Sequence, residues 1–259
     1  WSQSLPSNLQ RVDLALIVTS SKSRAELIDK IANAIDVRYW VMEKVLTQSS
    51  EELRAIQSAL EGCEAAWVNI PRRMMSWHKS LKETFSGQGP FEISYSAGLW
   101  GLACNSIHFI DLVAWWSGEA LVSVDTSGLD PHWQESKRAG YFEITGELVA
   151  HFSNGTSLRL ISKEDAHAQP IQVTLSDGVV WSVDEPAGTA QSSSGQQLDG
   201  RIELQSQLSG RLVDDILQRG ECDIPSLNES SAMHAIFLDA MLAHWNKSQG
   251  NCDELVPIT

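Results

Sequence analysis

The residues best suited to chemistry lie close together in the stretch Gly98 to Gly118, GLWGLACNSIHFIDLVAWWSG. On a helix Cys104, His108 and Asp111 stand at i, i+4 and i+7, so one face presents a thiol, an imidazole and a carboxylate. Ile107, Ile110 and Ala114 then turn to the core. An imidazole in that position can act as an acid or base near neutral pH, or it can be a hydrogen-bonded core residue. Thiolate, imidazole and carboxylate are also zinc ligands, although no second ligand cluster lies nearby in sequence. The other candidate is Glu43-Lys44, at the end of an apolar run. In open α/β sheets ligands bind beyond the carboxyl ends of the strands. A lysine there can hold a substrate hydroxyl and stabilise developing negative charge, or it can extend to solvent along its aliphatic stem.

These residues need elements to position them. Val12 to Val18 (VDLALIV) is a near-continuous apolar run, the pattern of a strand buried on both faces. A helix is predicted from about Ser23 to Ala34, and Val37 to Met42 gives a second buried strand. Ser49 and Glu52 form a capping box, with Leu53, Ile56 and Leu60 as the helical stripe behind it. Trp67 to Ile70 is a third strand. Strands alternating with helices imply parallel pairing. After Pro71 a helix carries Met74, Trp77 and Leu81 at helical spacing.

From Phe91 the pattern alternates with period two, as in Tyr141 to Phe152, Ser157 to Ile161, Ile171 to Leu175 and Val179 to Val183. Such segments predict an antiparallel or mixed sheet with one exposed face. Ala187 to Gly200, rich in Ser, Gln and Gly, reads as a mobile loop. Two helices follow, Arg201 to Leu217 and Ser226 to Trp245, the second opened by a Ser226/Glu229 capping box. The predicted fold is α/β. An incomplete doubly wound, Rossmann-like nucleotide-binding domain covers residues 1–70. An α/β domain with an open, mostly antiparallel sheet covers 71–259, its last helix able to pack back on the first domain.

Composition removes several classes of function. The formal charge of −14 over 259 residues disfavours a nucleic-acid partner, which needs a basic stripe; the nearest approach to one is the pair Arg72–Arg73. No apolar run nears the roughly 20 residues of a membrane span, and Asp111 interrupts the best candidate, Phe109 to Trp116. Cys63, Cys104, Cys222 and Cys252 are widely spaced and predict reduced thiols in a cytoplasmic protein. The sequence opens at Trp1 without a secretory signal.

The order of motifs resembles the glucose–fructose oxidoreductase and inositol dehydrogenase family (Gfo/Idh/MocA). Glu43-Lys44-Val45 is similar to that family's Glu-Lys-Pro strand end. Asn69-Ile70-Pro71-Arg72-Arg73 is similar to its Asn-ended strand and Arg-rich turn. In Gly98 to Gly118, His108, Asp111, Leu112, Trp116 and Gly118 fall where the family has Asp-x-x-x-His-x-x-Asp-Leu followed by Trp and Gly. The ending Pro257-Ile258-Thr259 also recurs among its sugar-modifying branches. The resemblance runs from about Val12 onward.

It implies an NAD- or NADP-dependent dehydrogenase acting on a sugar or nucleotide-linked sugar. Lys44 and His108 would be catalytic, His108 taking the hydroxyl proton. Thr19, Ser20, Glu43 and Lys44 would touch the cofactor; Trp100, Asn105, Asp111 and Arg72 would bind the sugar.

The sequence departs from the family at two of these places. Cys104 replaces the family's Asp one helical turn before the histidine, so the imidazole loses a charged partner, and Asn105 can take over only part of its orientation. Val45 replaces Pro, which relaxes the backbone constraint after Lys44. No G-x-G-x-x-G follows a strand. The resemblance implies that a strand–helix–strand unit of roughly 60 residues carrying that loop precedes Val12, and without it this segment is expected to bind NAD(H) or NADP(H) weakly. An open sheet face predicts a homo-oligomer, specifically a dimer using Phe142, Ile144, Val173 and Trp181. Two other readings remain at this stage: a non-catalytic scaffold that retains the fold, and a metal-dependent enzyme using Cys104, His108 and Asp111.

Overall fold

The computed structural model describes Leu5 and residues 9–259. The first part is a parallel sheet of three strands, β1 (Arg11–Ile17), β2 (Asp36–Met42) and β3 (Ala65–Val68), joined by α1 (Arg24–Ala34) and α2 (Ser50–Ala59). Helix α2 starts where its capping residues predict, with the Ser49 hydroxyl accepting from the Glu52 N–H at 3.2 Å. β1 differs from expectation. It pairs only with β2 and forms the sheet edge among the described residues, leaving Leu16 51% and Val18 75% exposed. A run of apolar residues does not reveal whether a neighbour covers its second face.

Pro71 does not open a long helix. A 3₁₀ turn at Pro71–Met74 ends at Met75, and α3 (Ser76–Phe85) begins in a new direction, burying Trp77, Leu81 and Phe85. Next come β4 (Glu92–Ala97) and α4 (Leu102–Ser117). They are followed by β5 (Leu121–Leu129), a ribbon of β6 (Gln134–Glu135) and β7 (Phe142–Glu143), and β8 (Gly146–Phe152). Then come β9 (Ser157–Ser162), β10 (Ile171–Thr174), β11 (Val180–Asp184), β12 (Thr189–Ser192) and β13 (Gln197–Asp199). The chain continues through α5 (Gln205–Arg219) and α6 (Leu227–Gln249). Ser226 and Glu229 form the reciprocal capping box at the start of α6.

The second sheet has eight strands in the order β13-β12-β11-β10-β4-β9-β8-β5. All pairs are antiparallel except β4–β9. The segment predicted as a mobile loop, Ala187 to Gly200, is the β12–β13 hairpin at one edge of this sheet. Across the sheet Trp181, Val173, Ile93, Leu158 and Ala150 stand in register and are buried. This row faces the helices: α4 packs over β9 and α6 over β5. The opposite row is Ser182, Gln172, Ser94, Arg159 and Val149. The dimer face predicted from Ile144, Val173 and Trp181 is therefore corrected, because those side chains fill the core of their own subunit. Alternation identifies two faces but not which of them the helices cover.

Asp111 also differs from expectation. Its carboxylate is fully buried and pairs with Arg73 through two hydrogen bonds of 3.0 and 2.7 Å, locking the 3₁₀ turn to α4. Arg73 also reaches Glu229 at 3.3 Å, adding the start of α6 to the same junction. Removing one partner of a buried ion pair leaves the other uncompensated. Asp111→Ala is expected to cost about 3–5 kcal/mol of stability, read from urea unfolding. Replacing both partners with apolar residues of similar size is expected to recover most of the loss, which a simple cavity at position 111 would not allow.

Candidate functional site: a cleft at the carboxyl end of the parallel strands

The carboxyl ends of β1 and β2 meet the start of α4 and the β6–β7 ribbon around a cavity of about 680 Å³. Lys44 follows the end of β2 and crosses to α4. Its ammonium donates to the Cys104 carbonyl at 3.2 Å, the Asn105 Oδ1 at 3.0 Å and the Cys104 Sγ at 3.2 Å. An ammonium has three donors and all three are engaged. Sulfur is the weakest acceptor of the set, so the thiol contact is the one most easily exchanged for a ligand oxygen. Asn105 is fixed in turn by donating from Nδ2 to the Trp100 carbonyl at 2.8 Å. The Lys44–Val45 peptide is cis.

A second cavity, of about 410 Å³, adjoins the first and shares Glu43, Lys44, Trp100 and Gln205 with it. His108 lines this cavity with Arg72, Asn105 and Tyr95. Its Nδ1 is buried without a partner. Burial, then the nearby Arg72 and Lys44 cations, push its imidazole well below the usual histidine range. The imidazole is thus neutral at physiological pH, able to accept a proton but poor at retaining one between two cations. Arg72 is held by a two-pronged pair with Glu185 at 2.7 and 2.8 Å and lies over the Phe109 ring. The buried His78 hydrogen-bonds the same carboxylate at 2.9 Å. Trp100 anchors its indole N–H on the Ile161 carbonyl at 3.0 Å and packs edge-on against Tyr95 and Phe109.

Of the residues singled out in the sequence, the two adjoining cavities bring together Thr19, Glu43, Lys44, Arg72, Trp100, Asn105 and His108. Ser20 and Asp111 line neither. Cys104 faces Lys44 while Asp111 turns to Arg73, so the thiol–imidazole–carboxylate set proposed for a metal does not converge. Among the described residues no group of three His, Cys, Asp or Glu side chains is arranged to hold a metal ion. The Thr19 hydroxyl, at the end of β1, is buried, lacks a hydrogen-bond partner and lines the larger cavity. That unpaired group suits a ligand able to hydrogen-bond there. Glu43 accepts from Asn69 at 2.6 Å and from Gln205 at 3.2 Å.

Sequence reasoning missed Arg24, Glu143 and Glu185. Arg24 lies buried beneath the cleft and donates to the carbonyls of Thr19, Val45 and Leu46, tying the end of β1 to the loop after β2. Burial lowers its pKa to about 10, so it remains charged at neutral pH. Glu143 reaches the cavity from the β6–β7 ribbon. The end of the chain closes one wall. Ser21 donates to the Ile258 carbonyl at 2.6 Å, the Phe142 N–H to the Pro257 carbonyl at 2.8 Å, and Thr259 lines the cavity. No local sequence signal marks these contacts, most of which join residues far apart in the chain.

No protein-family profile matches the sequence, and no curated protein does. Solved structures do match in three dimensions. The UDP-N-acetylglucosamine 3-dehydrogenase of Acidithiobacillus ferrooxidans superposes with a TM-score of 0.67 at 16% identity, over 88% of this chain and 77% of that one. The aldose–aldose oxidoreductase of Caulobacter crescentus gives 0.66 at 13% identity, over 92% and 78%. A dehydrogenase from Chromobacterium violaceum gives 0.65 at 13% identity, over 92% and 78%.

The cationic flanks of His108 generate a prediction. The imidazole is expected to stay neutral as pH falls through about 6.5, where an unperturbed histidine titrates, and Lys44→Met should raise its pKa by removing one of the two cations. Histidine nitrogen and carbon shifts in NMR titrations of both proteins measure this. A His108 that titrates normally, or fails to respond to Lys44→Met, would show that the two groups are not coupled. The fold that places them together is the one shared with these solved sugar oxidoreductases.

Proposed function

We propose that this protein is a nicotinamide-dependent dehydrogenase acting on a carbinol of a sugar or nucleotide-linked sugar. The observation that carries this reading is that Lys44, shared by two adjoining cavities beyond the carboxyl end of a parallel sheet, lines the smaller of them together with His108. Two of the proteins that share the fold are named for reactions on sugars. A bound nicotinamide would supply the two-electron acceptor or donor, and Thr19, Glu43 and Lys44, which line the larger cavity, would hold it.

The remaining chemistry belongs to the chain. Lys44 exchanges its Cys104 sulfur contact for the substrate oxygen and stabilises the negative charge that develops as the O–H bond breaks. His108, neutral before the reaction, accepts the hydroxyl proton. Asn105 keeps Lys44 in place. Trp100 and Tyr95 offer aromatic edges and faces to the apolar side of a sugar ring, and Arg72, held by Glu185, offers hydrogen bonds to ring hydroxyls.

The test is a panel of free and nucleotide-linked sugars with NAD⁺ and NADP⁺, following reduced nicotinamide by absorbance in the full-length protein. His108→Ala is expected to reduce kcat by about 10²–10⁴ while leaving cofactor affinity nearly unchanged, the usual range for loss of a general base. Lys44→Ala should lower kcat and also raise KM, because the ammonium positions the same oxygen. Unchanged kcat in His108→Ala would remove it from the mechanism. Absence of turnover across the panel would point instead to a scaffold that retains the fold without the chemistry.

A further inference from the structure

The contact between Lys44 and Cys104 joins an amine and a thiol, two side chains that can bond to each other once the sulfur is oxidised. Cys104 is the third residue of α4 and lines the larger cavity, so a small molecule in the cleft reaches its sulfur without opening the fold. The Lys44 Nζ stands 3.2 Å from that sulfur. Two oxygens hold the nitrogen from other sides, the Cys104 carbonyl at 3.2 Å and the Asn105 Oδ1 at 3.0 Å. An ammonium has three N–H bonds, so one proton points at the sulfur and the other two at oxygens. When the proton facing the sulfur leaves, the lone pair that replaces it is aimed at the same atom. The two oxygens keep the nitrogen from turning away.

Other partners for an oxidised Cys104 are out of place. Cys63, Cys222 and Cys252 line neither cavity, so the cleft offers no second thiol for a disulfide. A sulfenic acid can also condense with a backbone nitrogen. The nitrogen that follows Cys104 is that of Asn105, and it donates to the Gly101 carbonyl at 2.8 Å in the first turn of α4. Lys44 is the nucleophile already in contact.

We propose that Lys44 and Cys104 form a peroxide-sensitive switch, in which oxidation joins the lysine nitrogen to the cysteine sulfur and closes the cleft to chemistry. The Cys104 thiol loses its proton to solvent, and the ammonium beside it stands where it can pair with the resulting sulfur anion. That anion attacks one oxygen of hydrogen peroxide. The O–O bond breaks, sulfur is oxidised and the peroxide is reduced. The departing hydroxide takes the proton that Lys44 directs at the sulfur and becomes water. Cys104 is then a sulfenic acid beside a neutral amine. The amine lone pair attacks the sulfur, the S–O bond breaks, and the hydroxyl leaves as a second water with a proton from nitrogen. The product is an S–N bond, and the two side chains have together lost two hydrogen atoms. An added thiol attacks the sulfur and frees the amine, and a second thiol reduces the mixed disulfide left behind. The crosslink stands independently of the dehydrogenase reading. Its effect on turnover rests on that reading, because a lysine bonded to sulfur can no longer meet a substrate oxygen as an ammonium.

The experiment treats the full-length protein with hydrogen peroxide in steps and reads peptide masses after digestion. Wild type is expected to yield a peptide pair joined through Lys44 and Cys104, lighter than its parts by two hydrogen atoms and released by dithiothreitol. Protein oxidised in urea, where the contact is lost, should give little of it. Cys104→Ser should give none. Lys44→Arg keeps a cation beside the sulfur but no free amine, so Cys104 should stop at the sulfenic acid, which dimedone traps, or go on to the sulfinic acid. Sugar oxidation by wild type should fall in proportion to the linked fraction and return with dithiothreitol. The crosslink is overturned if Cys104 stays a free thiol while the exposed Cys252 is oxidised, or if wild type accumulates the trapped sulfenic acid with no link to Lys44. A linked pair heavier by one oxygen would carry an S–O–N bridge and overturn the direct bond. Full turnover in linked protein would overturn the switch. A wild type inactive toward every sugar before any peroxide is added would end the dehydrogenase reading, and the masses would still decide the crosslink.

Discussion

The first turn of a helix carries backbone N–H groups that the helix itself cannot satisfy, and in α4 the way the chain meets that constraint organises the whole cleft. Gly101 turns the backbone through the left-handed region, and no side chain of the helix reaches back to cap it. Glu143 satisfies the N–H groups of Ala103 and Cys104 from a ribbon nearly forty residues later. The same turn presents outward the Cys104 carbonyl, the Cys104 sulfur and the Asn105 amide oxygen, and these hold Lys44 from the other sheet. A single helix start therefore joins the parallel sheet, the mixed sheet and the ribbon, and the cavity is the space left between them.

The electrostatics follow from that arrangement. The chain is strongly acidic overall, but Lys44, Arg72 and Arg24 are gathered at the cleft. Arg72 is neutralised by Glu185, and the terminal nitrogens of Arg24 donate to three backbone carbonyls. The three hydrogen bonds of Lys44 all go to neutral acceptors, so its ammonium can respond to new negative charge on a ligand oxygen. That charge has a cost, visible in His108, which burial keeps neutral with a further contribution from Arg72 and Lys44. An imidazole so placed can accept a proton but holds it weakly.

Much of the frame was legible in the sequence because local rules decide it. The alternation of strands and helices gives the parallel sheet, Ser49 and Ser226 with their partner glutamates mark two helix starts, and the stretch from about Cys104 to Trp116 reads as a helix carrying His108. The failures share one physical cause. β1 was read as doubly buried because an apolar run reports what a strand could bury rather than what lies beside it. The β12–β13 hairpin was hidden by its Ser, Gln and Gly content, since pairing with β11 supplies order that composition does not advertise. Asp111 shares a helix with His108 and lies three residues on, but Arg73 draws it to a different side of the packing. Glu143, Glu185 and Arg24 act on residues distant in the chain, and helical or strand periodicity carries no information about such partners.

The buried ion pairs are better understood as orienting devices than as sources of stability. Removing two charges from water is costly, and their attraction in the interior often only offsets that cost. An apolar pair in place of Arg73 and Asp111 could pack equally well, but it would not select one rotation of α4 about its axis. Two parallel hydrogen bonds to a planar guanidinium do select it, and Glu229 adds a third point from α6. His108 and Asp111 are three residues apart on α4, so fixing the direction of one fixes the direction of the other. The same reasoning applies to Arg72, whose guanidinium is set by Glu185 while His78 holds that carboxylate from behind. Both networks converge on the 3₁₀ turn at Pro71–Met74, where Arg72 turns to the cleft and Arg73 to the core. This short turn therefore aligns the cation over the site with the helix that carries the imidazole, and a change in its backbone would move both together.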